Sequence, residues 1–292
     1  LRYRIRHSTK YAYSDTVAVC HNLVRLAPRA FGGQTLDSYR LIVSPDPSDC
    51  AKRTDLFGNR VEFFSIQRAH QTLTLTAISD VEVHEQPLLP ATSLPWETVR
   101  DSFRLPGDAD ATKAYRFAFP STHVPRNATL RDYASTSFTP GRPILDAARD
   151  LTSRIHADFK YDPRATTVST PVLDAFNARA GVCQDFAHVE IACLRSLGLA
   201  ARYVSGYLRT IPPPGKARLV GADASHAWLS VYCGAIGWVD FDPTNDCIPG
   251  TDHITVAIGR DYADISPIQG VFVGGGSHTM VVSVDVEPRD TV

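Results

Sequence analysis

Gly181-Val182-Cys183-Gln184-Asp185-Phe186-Ala187-His188-Val189-Glu190-Ile191-Ala192-Cys193-Leu194-Arg195-Ser196-Leu197-Gly198-Leu199 is the stretch on which the fold turns. Phe186, Ala187, Ile191, Leu194 and Leu197 recur at the spacing of a buried helical stripe, and Gly198 supplies a stop signal. Gly181 reads as the glycine that ends a preceding helix. The spacing therefore predicts a helix whose first turn begins at or just after Cys183. A thiol placed there meets unpaired N–H groups and the positive end of the helix dipole, which favour the thiolate. The same N–H groups can face a developing oxyanion. Cys193 falls within the apolar pattern and reads as a core residue.

Downstream, strands are expected at Ala201–Leu208, His226–Tyr232 and Gly237–Asp242. His226, Trp228, Ser230 and Tyr232 share one face of the second. Asp242 closes the third, in Trp238-Val239-Asp240-Phe241-Asp242-Pro243-Thr244. Cys233 to Gly237 between them reads as a hairpin loop. An odd loop puts His226 and Asp242 directly opposite on one face; an even loop without a bulge puts them on opposite faces. A histidine that reaches the thiol, and a carboxylate that fixes its tautomer, are what a thiol nucleophile needs. Singly, each residue has a blander reading as a buried thiol, a satisfied imidazole or a turn aspartate; their placement together favours the chemistry. Pro212-Pro213-Pro214-Gly215 reads as an extended surface loop, with a lid as the lesser alternative.

Upstream, Ile144, Leu145, Ala148, Leu151, Ile155 and Phe159 mark a helix that ends before Asp162-Pro163. Thr170 reads as the N-cap and Pro171 as the first residue of another. Residues 86–142 are punctuated by proline and read as a bridging segment, with a short strand near Tyr115–Phe119 and a helical turn near Leu130–Tyr133. Residues 1–85 alternate with period two between turn signals and read as an antiparallel β domain of sandwich type. The second domain then spans 143–292, with the tail runs Phe272-Val273 and Met280–Val286 completing its sheet.

These motifs carry a resemblance. Gly181–His188, Gly198 with Arg202–Tyr207, Ala224–Trp228 and Gly237–Thr244 resemble the core of the microbial transglutaminase-like family of cysteine peptidases, over roughly 145–247. The β-rich N-terminal region resembles that family's accessory domain, and Gly259–Asp264 with Gly274-Gly275-Gly276 its usual ending. The resemblance implies an α+β fold: a papain-like transglutaminase core, with a helix-borne Cys packed on an antiparallel sheet, preceded by an all-β domain. It implies Cys183 as nucleophile, His226 as base and Asp242 as the orienting acid. Tyr161 lies where animal transglutaminases carry an aromatic oxyanion donor. Gln184, Asp185 and Trp228 are further oxyanion or cleft candidates, with helix capping the alternative for Gln184 and Asp185. Asp261, Tyr262 and Asp264 are cleft candidates by analogy, and a structural hydrogen bond is the expectation for His188.

Composition narrows the classes. A formal net charge of -1 gives no field for nucleic acid or an anionic membrane. No apolar run approaches the ~20 residues of a transmembrane helix, and the N-terminus lacks a signal-like apolar core. Six scattered cysteines without a CxxC favour free thiols in a reducing compartment, so a cytoplasmic location is expected. The chain does not begin with Met, which leaves an export signal upstream of it open. No metal or organic cofactor is implied; a DxDxDG loop is absent. The expectation is a thiol-dependent amide-bond hydrolase acting on a protein or peptide through a thioester, with neither nucleic acid nor membrane as partner. Three alternatives stand beside it: acyl transfer to an amine, a non-catalytic peptide-binding module, and metal binding by Cys183, His226 and Asp242.

Overall fold

The computed structural model describes residues 1–104, 108–210 and 224–289; the loop expected at 212–215 lies outside them. The N-terminal domain is built on β1 (Arg2–Val24), whose inward residues Tyr3, Ile5, His7 and Thr9 alternate with exposed ones as period-two burial requires. β2 (Gln34–Ser44), β3 (Asp49–Thr54), β4 (Arg60–Ile66) and β5 (His70–Val83) follow, all antiparallel, in the order β2-β5-β1-β4-β3. The first half of β1 pairs with β5 and its last residues with β4, across a register break between Ala12 and Val17. Such a break bends a strand. Leu73, Leu75 and Val43 from one half meet Phe64, Ile66 and Val24 from the other in one core. The expected sandwich is thus a single sheet curled over itself.

Residues 86–142 are more helical than proline content suggests. α1 (Trp96–Ser102), α2 (Ala109–Tyr115) and α3 (Ala128–Ser135) occupy the segment, and Arg116–Ala118 is a 3₁₀ turn where a strand was expected. Asp108 and Asn127 cap α2 and α3 with side-chain oxygens. α4 (Ile144–Asp158) turns its predicted stripe into the core. β6 (Lys160–Tyr161), α5 (Val172–Ala178) and β7 (Ala180–Gly181) lead to α6 (Cys183–Ser196). Thr170 is not the N-cap of α5. Pro171 holds that position, one residue later than expected, and the Thr170 hydroxyl accepts from Thr167 N–H instead. Arg179 (φ 51°), not Gly181, takes the left-handed cap that ends α5. Gly181 is glycine for another reason: a Cβ there would press against the Asp185 side chain. Gly198 (φ 87°) does end α6 as expected.

β8 (Ala201–Leu208), β9 (Ala224–Tyr232), β10 (Trp238–Phe241) and β11 (His253–Gly259) form a second antiparallel sheet, ordered β10-β9-β8-β11. One face packs on α6. α7 (Tyr262–Ile265) then leads to β12 (Ile268–Gly274) and β13 (His278–Arg289). These tail strands do not complete the second sheet: both pair with the free side of β1. No helix among the described residues is long and apolar enough to cross a membrane.

The outer edge of β11 is closed by two carboxamides from the N-terminal domain. Gln34 accepts from Thr255 N–H (2.9 Å) and donates to its carbonyl (2.8 Å); Asn59 does the same at Ile258 (2.9 and 2.7 Å). Each amide stands in for a neighbouring strand and satisfies backbone groups that would otherwise lack a partner on that side, save the Thr255 carbonyl, which also takes the Arg29 N–H (3.0 Å). Gln34→Ala is expected to lower stability by about 1–3 kcal/mol, the cost of such unpaired groups. Urea denaturation measures the loss, and amide exchange at Thr255 should accelerate while the α6 interior stays protected.

Candidate active site

α6 begins on Cys183 because Asp185 holds its start. The Asp185 carboxylate accepts the Val182 N–H (2.8 Å) and the Thr166 hydroxyl (2.6 Å), half of a capping box. The N–H groups of Cys183 and Gln184 open the helix, where no carbonyl four residues back is available to them. The Cys183 side chain is partly exposed, while Cys193 is fully buried with its thiol pKa pushed up by desolvation.

His226 and Asp242 come from neighbouring strands of the second sheet. The connection between β9 and β10 has an odd length, Tyr232 pairing with Trp238, so the two residues share a face. They are not directly opposite, since that register sets Asp242 against Trp228 and leaves His226 one same-face position further along. The diagonal suits their bond: His226 Nε2 lies 2.7 Å from Asp242 Oδ2. Nε2 is thereby committed, which leaves Nδ1 as the ring nitrogen open toward Cys183, whose proximity raises the imidazole pKa. The structure thus joins His226 to Asp242 and sets Cys183 near enough to the ring to influence it.

Asp242 has no solvent exposure and accepts five hydrogen bonds. Its Oδ1 takes the backbone N–H groups of Thr244 and Asn245, so the Asp-Pro-Thr-Asn turn folds back on its own first side chain. Its Oδ2 takes His226, the Asn245 amide (2.7 Å) and His253 Nε2 (3.1 Å). A carboxylate only accepts, so both Nε2 atoms carry a proton. Burial by itself would raise the Asp242 pKa, but the hydrogen bonds from His226 and His253 outweigh it and hold the carboxyl well below the usual range. For His226 burial acts downward, and the bonds to Asp242 and Cys183, with their charges, push the imidazole up to about 10.

His253 and Asn245 were not among the sequence candidates. His253 opens β11, a strand buried on both faces and so without the alternation that marks a half-buried one. Its one local signal was the β-branched run Ile254-Thr255-Val256. His226, Asp242 and His253 also lie close enough together to be considered as cation ligands. Both imidazoles, however, aim the same nitrogen at one carboxylate oxygen, which fills the point where a shared ion would sit.

The remaining candidates separate. Trp228 is fully buried, donates its indole N–H to Asp240 (2.9 Å) and packs edge-on against His253, so it walls the group from behind and has no donor to offer an oxyanion. Its ring lies over Gly206, where a Cβ would collide with it. Tyr161 pairs with Gly181 and is 54% exposed; burial of its hydroxyl and the charge of Cys183 raise its pKa, which places it at the rim. Gln184 reaches the Val168 carbonyl (3.3 Å). His188 is buried, accepts the Tyr262 N–H and is pushed down to about 3 by desolvation, a neutral structural ring. Asp261 caps α7, and Asp264 holds Arg260 through both oxygens.

The chain is similar to known proteins in sequence and fold. Residues 3–82 match the model of the bacterial transglutaminase-like N-terminal region, and residues 131–243 that of the transglutaminase-like superfamily. An uncharacterized protein of Mycobacterium tuberculosis is 43% identical over 296 residues, covering 98% of this chain and 93% of that protein. A protein-glutamine gamma-glutamyltransferase of Pseudomonas aeruginosa is 32% identical over 128 residues, which is 37% of this chain and 19% of that protein. The crystal structure of a candidate cysteine protease from Cytophaga hutchinsonii superposes with a TM-score of 0.76 at 21% identity, covering 100% of this chain and 92% of that one.

The shifts above set a pH dependence. The raised His226 contributes stability that is full below about 6.5 and is lost as pH climbs toward its folded value near 10; the depressed Asp242 contributes above about 3.9 and is lost as pH falls through its folded value. Imidazole NMR should therefore find His226 still charged at about pH 8, well past an ordinary histidine. In Asp242→Asn the same ring should be neutral there.

Proposed function

The chain belongs to the transglutaminase-like superfamily, and we propose that within it this protein is a thiol-dependent amide-bond enzyme, a cysteine peptidase or amidase. The observation that carries the reading is the hydrogen bond from His226 to the buried Asp242, with Cys183 at the start of α6 near enough to raise the His226 pKa. A histidine held cationic beside a thiol at a helix start stabilises the thiolate, which is the nucleophilic form.

In the proposed reaction the Cys183 sulfur forms a bond to the carbonyl carbon of a protein or peptide amide. The carbonyl electrons move onto oxygen, facing the open N–H groups of Cys183 and Gln184. His226 delivers its Nδ1 proton to the leaving nitrogen as the C–N bond breaks, and an acyl thioester with a neutral His226 remains. Water then gives a proton back to His226 as its oxygen attacks the thioester. Collapse releases the carboxylic acid and restores the ion pair. Asp242 takes no proton; it fixes the ring and stabilises its charge. Tyr161 at the rim is placed to border the substrate.

A second reading differs only in the last step, where an amine replaces water and the product is a new amide. The named activity of the Pseudomonas relative favours keeping it. Incubating the protein with a peptide library, with and without a biotinylated primary amine, separates the two. Hydrolysis predicts new termini or glutamate from glutamine, whether or not amine is present. Transfer predicts biotinylated glutamine at the expense of both. Either product should fall at least about 10³-fold in Cys183→Ala. Turnover that survives in that variant would dismiss both readings.

A further inference from the structure

A cavity of about 690 Å³ lies between the N-terminal domain and the face of the second sheet that carries Trp228. That volume is in the range of small-molecule sites. Trp238, Ile236 and Leu89 give it apolar walls, with Trp228 fully buried behind them. Cys183 does not border it, so it is distinct from the place where the thiol meets its substrate.

The polar groups around the cavity are mostly spent. Arg29 donates to the Phe57 carbonyl (3.0 Å) and to Asn59 (2.6 Å). His84 pairs with Thr35. Asp240 accepts from Trp228 and Ser230. Arg202 is the exception among the charged groups. Its guanidinium is stacked 4.2 Å over the Trp238 ring, and its Nε–H is buried without a hydrogen-bond partner. Arg202 is enclosed by protein yet keeps accessible surface, as a side chain bordering an internal space does. Burial, helped by the nearby charge of Arg29 and opposed by Asp240, lowers its pKa to about 10. A guanidinium stays protonated, so the open donor calls for an acceptor. Two guanidiniums against one carboxylate make that acceptor an anion.

We propose that this interdomain cavity binds a small monocarboxylate with an apolar or aromatic body, its carboxylate on Arg202 and its body against Trp238 and Leu89, and that occupancy is felt at Asp242 through His253. A planar carboxylate matches the guanidinium fork. His253 borders the cavity, touches Trp228 edge-on and donates Nε2–H to Asp242, while its Nδ1 has no partner. It is therefore the group through which a change in the cavity reaches the carboxylate that orients His226. The binding half stands on the cavity alone; the coupling half rests on the reading of Cys183 as an activated thiol.

The full chain is titrated with 4-phenylbutyrate and with its neutral isostere 4-phenylbutanamide, following tryptophan emission and the thermal midpoint. The carboxylate should bind saturably and raise the midpoint, with the amide weaker by at least about tenfold. Arg202→Met, checked for folding by circular dichroism, should erase that preference. Equal binding of both compounds, no saturable binding of the carboxylate, or a preference that survives in folded Arg202→Met would each overturn the site. The isostere comparison on the unaltered protein decides if the variant does not fold. Saturating carboxylate should also change the rate of Cys183 alkylation at least about twofold, a difference of about 0.4 kcal/mol in the barrier. An unchanged rate, in a protein whose Cys183 labelling depends on His226, would overturn the coupling. Labelling indifferent to His226 would instead count against the proposed function and leave the binding result standing.

Discussion

A carboxylate without solvent contact is tolerable only where its charge is met on every side, and Asp242 imposes that condition on the residues around it. Five donors converge on it, two from its own turn and three from side chains. Removing any one leaves a desolvated charge short of a partner, which is why such groups are expensive to disturb. His226 gains its cationic character from this carboxylate, and in the proposed function the thiol takes His226 as its partner. The chemistry of the site is therefore set a full residue-length behind the nucleophile, in a turn that closes the second sheet.

The N-terminal domain bears on the same point. β11 supplies His253 and lies at the edge of its sheet, where backbone groups need partners. Gln34 and Asn59 provide them, and Tyr3 adds a hydrogen bond to Asp252, the residue before His253. The curled sheet is held in turn by β12 and β13, which return from the end of the chain to the free side of β1. Chain start and chain end thus share one sheet, and its carboxamides brace the strand whose His253 holds Asp242.

Much of this was legible in the residues. The helix starting on Cys183 announced itself through the apolar stripe that follows, whereas the face shared by His226 and Asp242 hung on the loop length, which the pairing of Tyr232 with Trp238 decides. What stayed hidden depends on distant parts of the chain. His253 meets Asp242 only because the chain returns after Pro243, and β11 carries no alternation to flag it. Gly181 was misread because a glycine before a helix can serve either a left-handed cap or a close approach, and only the position of Asp185 tells them apart. β12 and β13 were visible as strands, but strand pairing is nonlocal. A 23-residue β1 with both sides open does not say from its own sequence which strands will fill them.

The measurement that bears most directly on the central claim is iodoacetamide labelling across pH, mapped to individual cysteines, in the unaltered protein and in His226→Ala. Exposed Cys50 serves as the internal comparison. The account predicts that Cys183 labels selectively below about pH 7, well under the range of a free thiol, and that the selectivity vanishes in His226→Ala. Cys183 labelling no faster than Cys50 at every pH, unchanged by the substitution, would contradict it.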